Sequence, residues 1–182
     1  MVKINFGCGQ EKLEGWINVD LDASYRPEVV ADLSANMPFQ TACAGLMYSE
    51  DFIVQLDLDS AYLFLRECHR VLKPGGIIRL LTPDLEKLTR AYLYEPEWLV
   101  ATWKQFVGIP LKTQSACEVF NLGIRLAGQF HYDRKTLTGI LNECGFHAKE
   151  VNYRQSEAPE LRGLDLRRPD ESISMYFDCY RF

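Results

Sequence analysis

Apolar positions in the first third of the chain come in short runs. Residues 2–6 (VKINF), 16–21 (WINVDL), 28–32 (EVVAD) and 45–49 (GLMYS) are each bounded by turn formers or polar residues, which predicts four strands. Near residue 60 the spacing becomes helical. Leu63, Leu65, Cys68, Val71 and Leu72 share a broad apolar face, with Arg66, Glu67 and Arg70 mostly outside it. Asp59 or Ser60 can cap this helix by accepting a free N–H of its first turn. Lys73-Pro74-Gly75-Gly76 should stop it, because proline cannot continue a helix and glycine tolerates the turn. IIRLLTP at 77–83 is apolar through its centre, the pattern of a strand covered on both faces. Asp84 can cap a helix over 85–94, and Asp133 one over 134–144 that Gly145 ends. Weaker helical patterns at 96–106 and 115–126 flank Gly108-Ile109-Pro110. Residues 146–153 and 173–182 read as two last strands that can pair as a hairpin.

Strands alternating with helices indicate an α/β fold. The expectation is a doubly wound, Rossmann-like sheet, mostly parallel with an antiparallel edge strand, and with a shortened first crossover. All 182 residues fit one domain, with 95–132 as a small helical cap inserted late. Composition changes this picture little: 47% hydrophobic and 25% charged residues are ordinary values for a globular chain. The net charge of −5 argues against a nucleic-acid partner, since phosphate binding wants a basic stripe. The six cysteines are scattered without a CxxC or zinc-type spacing, so they read as reduced, mostly buried thiols, and no metal is expected. The N-terminus lacks an apolar signal core, and no run of 18 apolar residues occurs; the expectation is a cytoplasmic protein without a membrane partner.

The first two strands carry the most specific chemistry. Gly7-Cys8-Gly9 follows the first strand, and Asp20 closes the second, eleven residues after Gly9. In a doubly wound sheet these points are neighbours at the carboxyl edge, where ligands bind. An Asp there can accept hydrogen bonds from both hydroxyls of a ribose, and its charge strengthens them. A glycine pair alone is equally a tight turn in any α/β protein. A dinucleotide site would need a third glycine at position 12, where Lys12 stands, and a full helix to hold a pyrophosphate. Gln10 to Gly15 leaves room for about one turn. The ligand that fits has a ribose and a purine but no phosphate.

The series NFGCG, GWINVDLD, VVADLSANMPF, LMYSE, LRECHRVLKPGGIIRLLTPDLEKLTRAYL and FHYDRKTLTGILNECGF resembles the class I S-adenosylmethionine-dependent methyltransferases, and more narrowly the short bacterial methyltransferase-domain proteins. The resemblance spans residues 3–150, and RVLKPGG is its most specific motif. It implies S-adenosyl-L-methionine as cofactor. Gly7, Cys8 and Gly9 would approach the methionine part, with Asn5 organising the turn where relatives often carry an acid. Asp20 with Leu21 would hold the ribose. Asp32 and Leu33 would face the adenine, and Ser49 and Glu50 would lie under the sulfonium. At 49–56 relatives often read S-E-H-x-x-E-H-L, whereas this chain reads SEDFIVQL. That departure leaves two readings. One is a methyltransferase acting on an oxygen or nitrogen of a small molecule or sugar. The other is a cofactor-binding domain with weakened catalysis that serves as a partner or regulator.

Methyl transfer needs a base only if the nucleophile arrives protonated. Asp51, just past the fourth strand, and His131, ahead of a helix, are the candidate catalytic residues. For each, the plainer alternative is structural: a loop acid for Asp51, a packing histidine for His131. Trp98, Trp103, Phe106, Phe120 and Phe130 either wall an acceptor pocket or form the core of the cap. Arg162, Arg167 and Arg168 form the one basic cluster, which either binds an anion or balances nearby acids.

Overall fold

The computed structural model describes residues 1–182. Seven strands form one sheet: β1 (Val2–Phe6), β2 (Ile17–Asp20), β3 (Val29–Val30), β4 (Ala44–Glu50), β5 (Leu72–Pro83), β6 (Phe146–Glu150) and β7 (Ser174–Arg181). Their order is β3-β2-β1-β4-β5-β7-β6. Neighbours from β3 to β5 run parallel. The expected hairpin of the last two strands forms, and β7 inserts between β5 and β6, antiparallel to both. Five helices accompany the sheet: α1 (Leu58–Val71), α2 (Leu85–Tyr94), α3 (Pro96–Thr102), α4 (Ala116–Ala127) and α5 (Arg134–Glu143). None is long and apolar enough to cross a membrane.

Local chemistry sets most boundaries. Asp57 caps α1 by accepting from the Ser60 amide at 2.8 Å, so the helix starts just before the Asp59 and Ser60 predicted to cap it. Asp84 and Asp133 cap α2 and α5 as expected, accepting from Glu86 at 2.9 Å and from Thr136 at 2.7 Å. The Lys73–Gly76 stretch is not a free turn: Leu72 already pairs with Ala44, the register then shifts, and Ile77 resumes opposite Leu46. The run 28–32 yields only Val29 and Val30 as strand, an edge pairing opposite Val19 and Asp20. Past α3 the backbone continues as a π-helical turn, Trp103–Val107, that Gly108 ends at φ 72°.

The two faces of the sheet are covered differently. One packs α1 and α5 into a cluster of 26 buried residues that includes Ile4, Phe6, Met47, Phe64, Leu80, Leu137 and Phe177. On the other, no helix packs against the central strands. There Leu46, Tyr48, Ile77, Leu81 and Tyr176 cluster with Trp16, just before β2, beneath the largely irregular segment 151–173, which contributes Leu161 from a short 3-10 turn. A third cluster joins α2, α3 and α4 through Leu88, Leu99, Trp103, Leu111 and Val119.

The covering segment is fastened by Arg79 of β5, a charge in an otherwise apolar strand. Arg79, Asp165 and Asp178 are all fully buried. The guanidinium uses all of its donors. Nε meets Asp165 at 3.1 Å, Nη1 meets the Gln155 carbonyl at 3.0 Å and Asp178 at 3.1 Å, and Nη2 meets the Asn152 carbonyl at 3.2 Å and Asp165 again. The second carboxylate charge is met by the Arg154 amide on Asp165 and the Ser156 hydroxyl on Asp178, both at 2.6 Å. A buried charge is tolerated only when paired and hydrogen-bonded in this way.

Candidate active site

The loop that replaces the first crossover helix lies at the carboxyl edge of β1. Without a helix its backbone groups need other partners, and two buried asparagines supply them. Asn5 donates through Nδ2 to the Glu11 carbonyl at 3.1 Å and to Asn18 Oδ1 at 2.9 Å. Asn18 Oδ1 also accepts from the Leu13 amide at 2.8 Å, and its Nδ2 donates to the Leu13 carbonyl at 3.1 Å. Gly7 has φ 63°, and a Cβ there would meet the Phe52 ring at 2.6 Å, so both conformation and packing require glycine. Gly9 has φ 48°, and a Cβ there would meet nothing within 4 Å; that side is open. The Cys8 thiol is buried in the turn. Burial, with the Asp20 and Glu28 charges adding to it, pushes its pKa up to about 11, which keeps it protonated.

Asp20 stands beside this turn. Its Oδ2 accepts from the Gly9 amide at 2.8 Å and its Oδ1 from the Asp22 amide at 3.0 Å. Leu21 next to it is exposed. Asp32 sits at the same edge, but its Oδ1 accepts from the Ser34 amide at 2.8 Å and the Ser34 hydroxyl at 2.6 Å. Those bonds hold its carboxyl below the usual range. Leu33 is turned into the helix-backed core instead of toward the edge. Ser49 is fully buried, and its hydroxyl has no partner.

Glu50 does something the sequence does not reveal. Its carboxylate accepts the amides of Leu166, at 3.3 Å, and Arg167, at 3.1 Å, and the Tyr48 hydroxyl donates to it. Tyr176 adds a bond from its hydroxyl to the Arg167 carbonyl. Glu50 thus ties the covering segment to the tip of β4 and does not stand free beneath a ligand. Burial raises its pKa, and the Tyr48 hydrogen bond works against that.

Asp51 follows with φ 52°, a conformation uncommon for a residue with a side chain. Its Oδ2 accepts from Arg167 Nε at 2.8 Å, while its Oδ1 is buried without a partner. Two cavities meet here. One, of about 260 Å³, is lined by Asn5, the Gly7–Leu13 turn, Tyr48, Glu50, Gln55 and Leu164. The other, of about 350 Å³, is lined by Leu88, Trp98, Leu99, Trp103, Phe106, Val119 and Gly123. Asp51, Leu166 and Arg167 line both.

The structure therefore gathers Asn5, Gly7, Cys8, Gly9, Glu50 and Asp51 around one cavity; Asp20 touches that lining only through the Gly9 amide, and Asp32 does not line it. It does not bring His131 there. The His131 ring donates through Nε2 to the Ile124 carbonyl at 2.8 Å and lines neither cavity. Arg162 donates to the Ser156 carbonyl at 2.8 Å, and Arg168 pairs with Asp170 at 3.1 Å and Glu171 at 3.4 Å. Of the basic cluster, Arg167 alone reaches both cavities and Asp51.

Residues 6–80 match the family described as "Methyltransferase domain". No curated protein matches the chain significantly. Solved structures share the fold over nearly its whole length. An S-adenosylmethionine-dependent methyltransferase from Mesorhizobium loti superposes with a TM-score of 0.60 at 16% identity, covering 99% of this chain and 90% of that one. One from Methanosarcina mazei gives 0.56 at 14% identity, covering 99% and 92%. Geranyl diphosphate C-methyltransferase from Streptomyces coelicolor, solved with Mg2+, geranyl diphosphate and S-adenosyl-L-homocysteine, gives 0.57 at 16% identity, covering 100% and 73%. At such identities the structural likeness is one of fold, and the family match over 6–80 agrees with it.

Proposed function

Taking the chain as a class I S-adenosylmethionine-dependent methyltransferase, we propose that it moves a methyl group to an oxygen or nitrogen of a small-molecule acceptor. S-adenosyl-L-methionine would lie against the Gly7–Gly9 turn, and Asp51 would receive the acceptor's proton. Residues 95–132 serve as the cap over the reaction.

The residues present suit that cofactor. Gly9 leaves its ligand side open. Each Asp20 oxygen holds one backbone N–H, so a second lone pair on each remains for a ribose hydroxyl. Leu21 offers an exposed apolar surface beside the sugar position. No long helix points at the turn, which suits a ligand without a diphosphate. Asp32 and Leu33 suit adenine less well, because Ser34 occupies one carboxylate oxygen of Asp32 and Leu33 faces the core.

The observation that carries the reading is Asp51: a carboxylate on strained backbone, shared by the two cavities, with one buried oxygen unpartnered. When bound, the cofactor would supply an electrophilic methyl group, and the C–S bonding pair would stay on sulfur as a neutral thioether while the acceptor's lone pair makes the new bond. Asp51 Oδ1 takes the acceptor's proton. Arg167 holds the other oxygen and so fixes the orientation of the carboxylate. The tryptophan-lined cavity offers the acceptor an apolar wall.

The test uses labelled cofactor, a broad panel of hydroxyl and amine acceptors, and calorimetry with S-adenosylhomocysteine. Asp51→Asn lowers turnover by about 10²–10⁴ while product binding stays near the native value. Turnover within a few-fold of native removes Asp51 from the chemistry. Asp20→Ala weakens binding of S-adenosylhomocysteine by ~1.5–3 kcal/mol. An unchanged affinity removes the ribose assignment.

A further inference from the structure

The chamber of about 350 Å³ behind Asp51 shows what it can hold. Its size is at the lower end for small-molecule sites, which run from about 300 to 1,000 Å³. Trp98, Leu99, Trp103 and Phe106 wall it from α3 and the π-helical turn, and Leu88 and Val119 from α2 and α4. π-helical turns are rare and concentrate at functional sites. This one places Trp103, Phe106 and Val107 on the wall, and the Trp103 indole N–H is already satisfied by the Ile109 carbonyl at 2.8 Å.

The polar groups on the wall are also mostly spent. Arg167 is paired with Asp51, and Arg168 with Asp170 and Glu171. The Ser172 hydroxyl donates to the Arg168 carbonyl at 2.7 Å. An anionic acceptor would find no unpaired cation. A sugar would find only the Thr102 and Ser174 hydroxyls free of a partner, too few for its several hydroxyls, and each one left unpaired on burial carries a cost. Of the residues that carry a buried, unpartnered side-chain oxygen, Asp51 is the one that lines the chamber.

Gly123 gives an independent indication. It lies within α4, where glycine costs about 1 kcal/mol relative to alanine. Its φ is not positive, and a Cβ there would meet only Leu88 side-chain carbons, at 3.7 and 4.0 Å. Neither backbone conformation nor close packing calls for glycine. What the missing side chain does is leave space in the chamber.

We infer that this chamber is an acceptor site for an uncharged aromatic compound that carries one protic oxygen or nitrogen, directed at Asp51. The transfer step rests on the function proposed above; the binding does not. The test is calorimetry on the full chain with three probes: 2-naphthol, 2-naphthoate and methyl glucoside. 2-Naphthol binds one to one, and the anion and the glycoside bind at least tenfold more weakly. Gly123→Phe fills the chamber and loses at least tenfold in naphthol affinity, while Gly123→Ala, which adds one methyl group, loses less. Phe106→Ala, at a half-exposed position on the wall, weakens naphthol binding several-fold and replaces Gly123→Phe if that variant does not fold. Absence of naphthol binding overturns the inference. So does equal or tighter binding of the anion or the glycoside, or a folded Gly123→Phe with native affinity. S-adenosylhomocysteine is titrated separately. Naphthol binding without it leaves the chamber standing and sinks the methyltransferase reading; the reverse result sinks the chamber alone.

Discussion

The helix-backed and segment-backed faces of the sheet solve the same problem with different chemistry. A helix satisfies its own backbone, so the face under α1 and α5 is filled mainly by 26 buried residues, with Glu67 and Arg70 of α1 meeting the backbone of the loop at Met37 and Phe39. An irregular segment arrives with unpaired amides and carbonyls. The face beneath 151–173 therefore carries polar side chains that meet them. Arg79 takes the carbonyls of Asn152 and Gln155, and Glu50 takes the amides of Leu166 and Arg167. Asn18 does the same for the short first crossover. The proposed chemistry sits on this second side, because the segment that covers it also delivers Arg167 to Asp51. One face holds the molecule together, and the other shapes the site.

The contrast is broken most strongly at Arg79. Arg79→Met strands Asp165 and Asp178 as buried, unpaired carboxylates, a loss of about 3–5 kcal/mol. By hydrogen exchange the loss falls first on 151–173, while amides of β4 and β5 stay protected; a uniform loss would mean that the two faces are not independent. Leu137→Ala, in the helix-backed core, costs about 2–5 kcal/mol. Urea unfolding should show that loss as one cooperative transition, with the 260 Å³ cavity still binding S-adenosylhomocysteine in the folded fraction. Loss of binding without loss of stability would contradict the division of roles.

The smallest effect is a pH dependence. Burial raises the Glu50 carboxyl above its ordinary value of 4.5. A carboxyl raised by folding contributes stability that is fully present below the ordinary value and is lost as pH rises through the folded one. Native protein measured against Glu50→Gln should therefore lose relative stability as pH climbs above 4.5. A difference that grows with pH would mean that the amides of Leu166 and Arg167 outweigh burial.

Much of the helix-backed face was legible in the sequence because its elements carry a period. The strands, the amphipathic spacing of α1 and the cap Asp133 of α5 all announce themselves, as does Asp84 at the start of α2. The glycine turn and Asp20 were legible because strand ends in a parallel sheet converge on one edge. The second face was not, because 151–173 has no period to read. One signal did exist: Arg79 inside IIRLLTP is a charge that a buried strand cannot hold alone, so distant acids had to reach it. Asn18 gave no such sign, and Arg167 stood out only as one of a basic cluster, since loop hydrogen bonds depend on a path the sequence does not encode locally. The residues assigned to the adenine show the same limit. The pattern at 28–33 marks a strand end, but only the packing turns Leu33 inward and ties one Asp32 oxygen to Ser34.

The central claim is that the first crossover loop and the covering segment together form a cofactor cavity at the strand tips. Hydrogen exchange with and without S-adenosylhomocysteine tests it most directly. Saturating ligand should slow exchange in residues 7–13 and 164–168 and leave α1 and α5 unchanged. Binding that protects neither stretch, or no binding at all, would contradict the account.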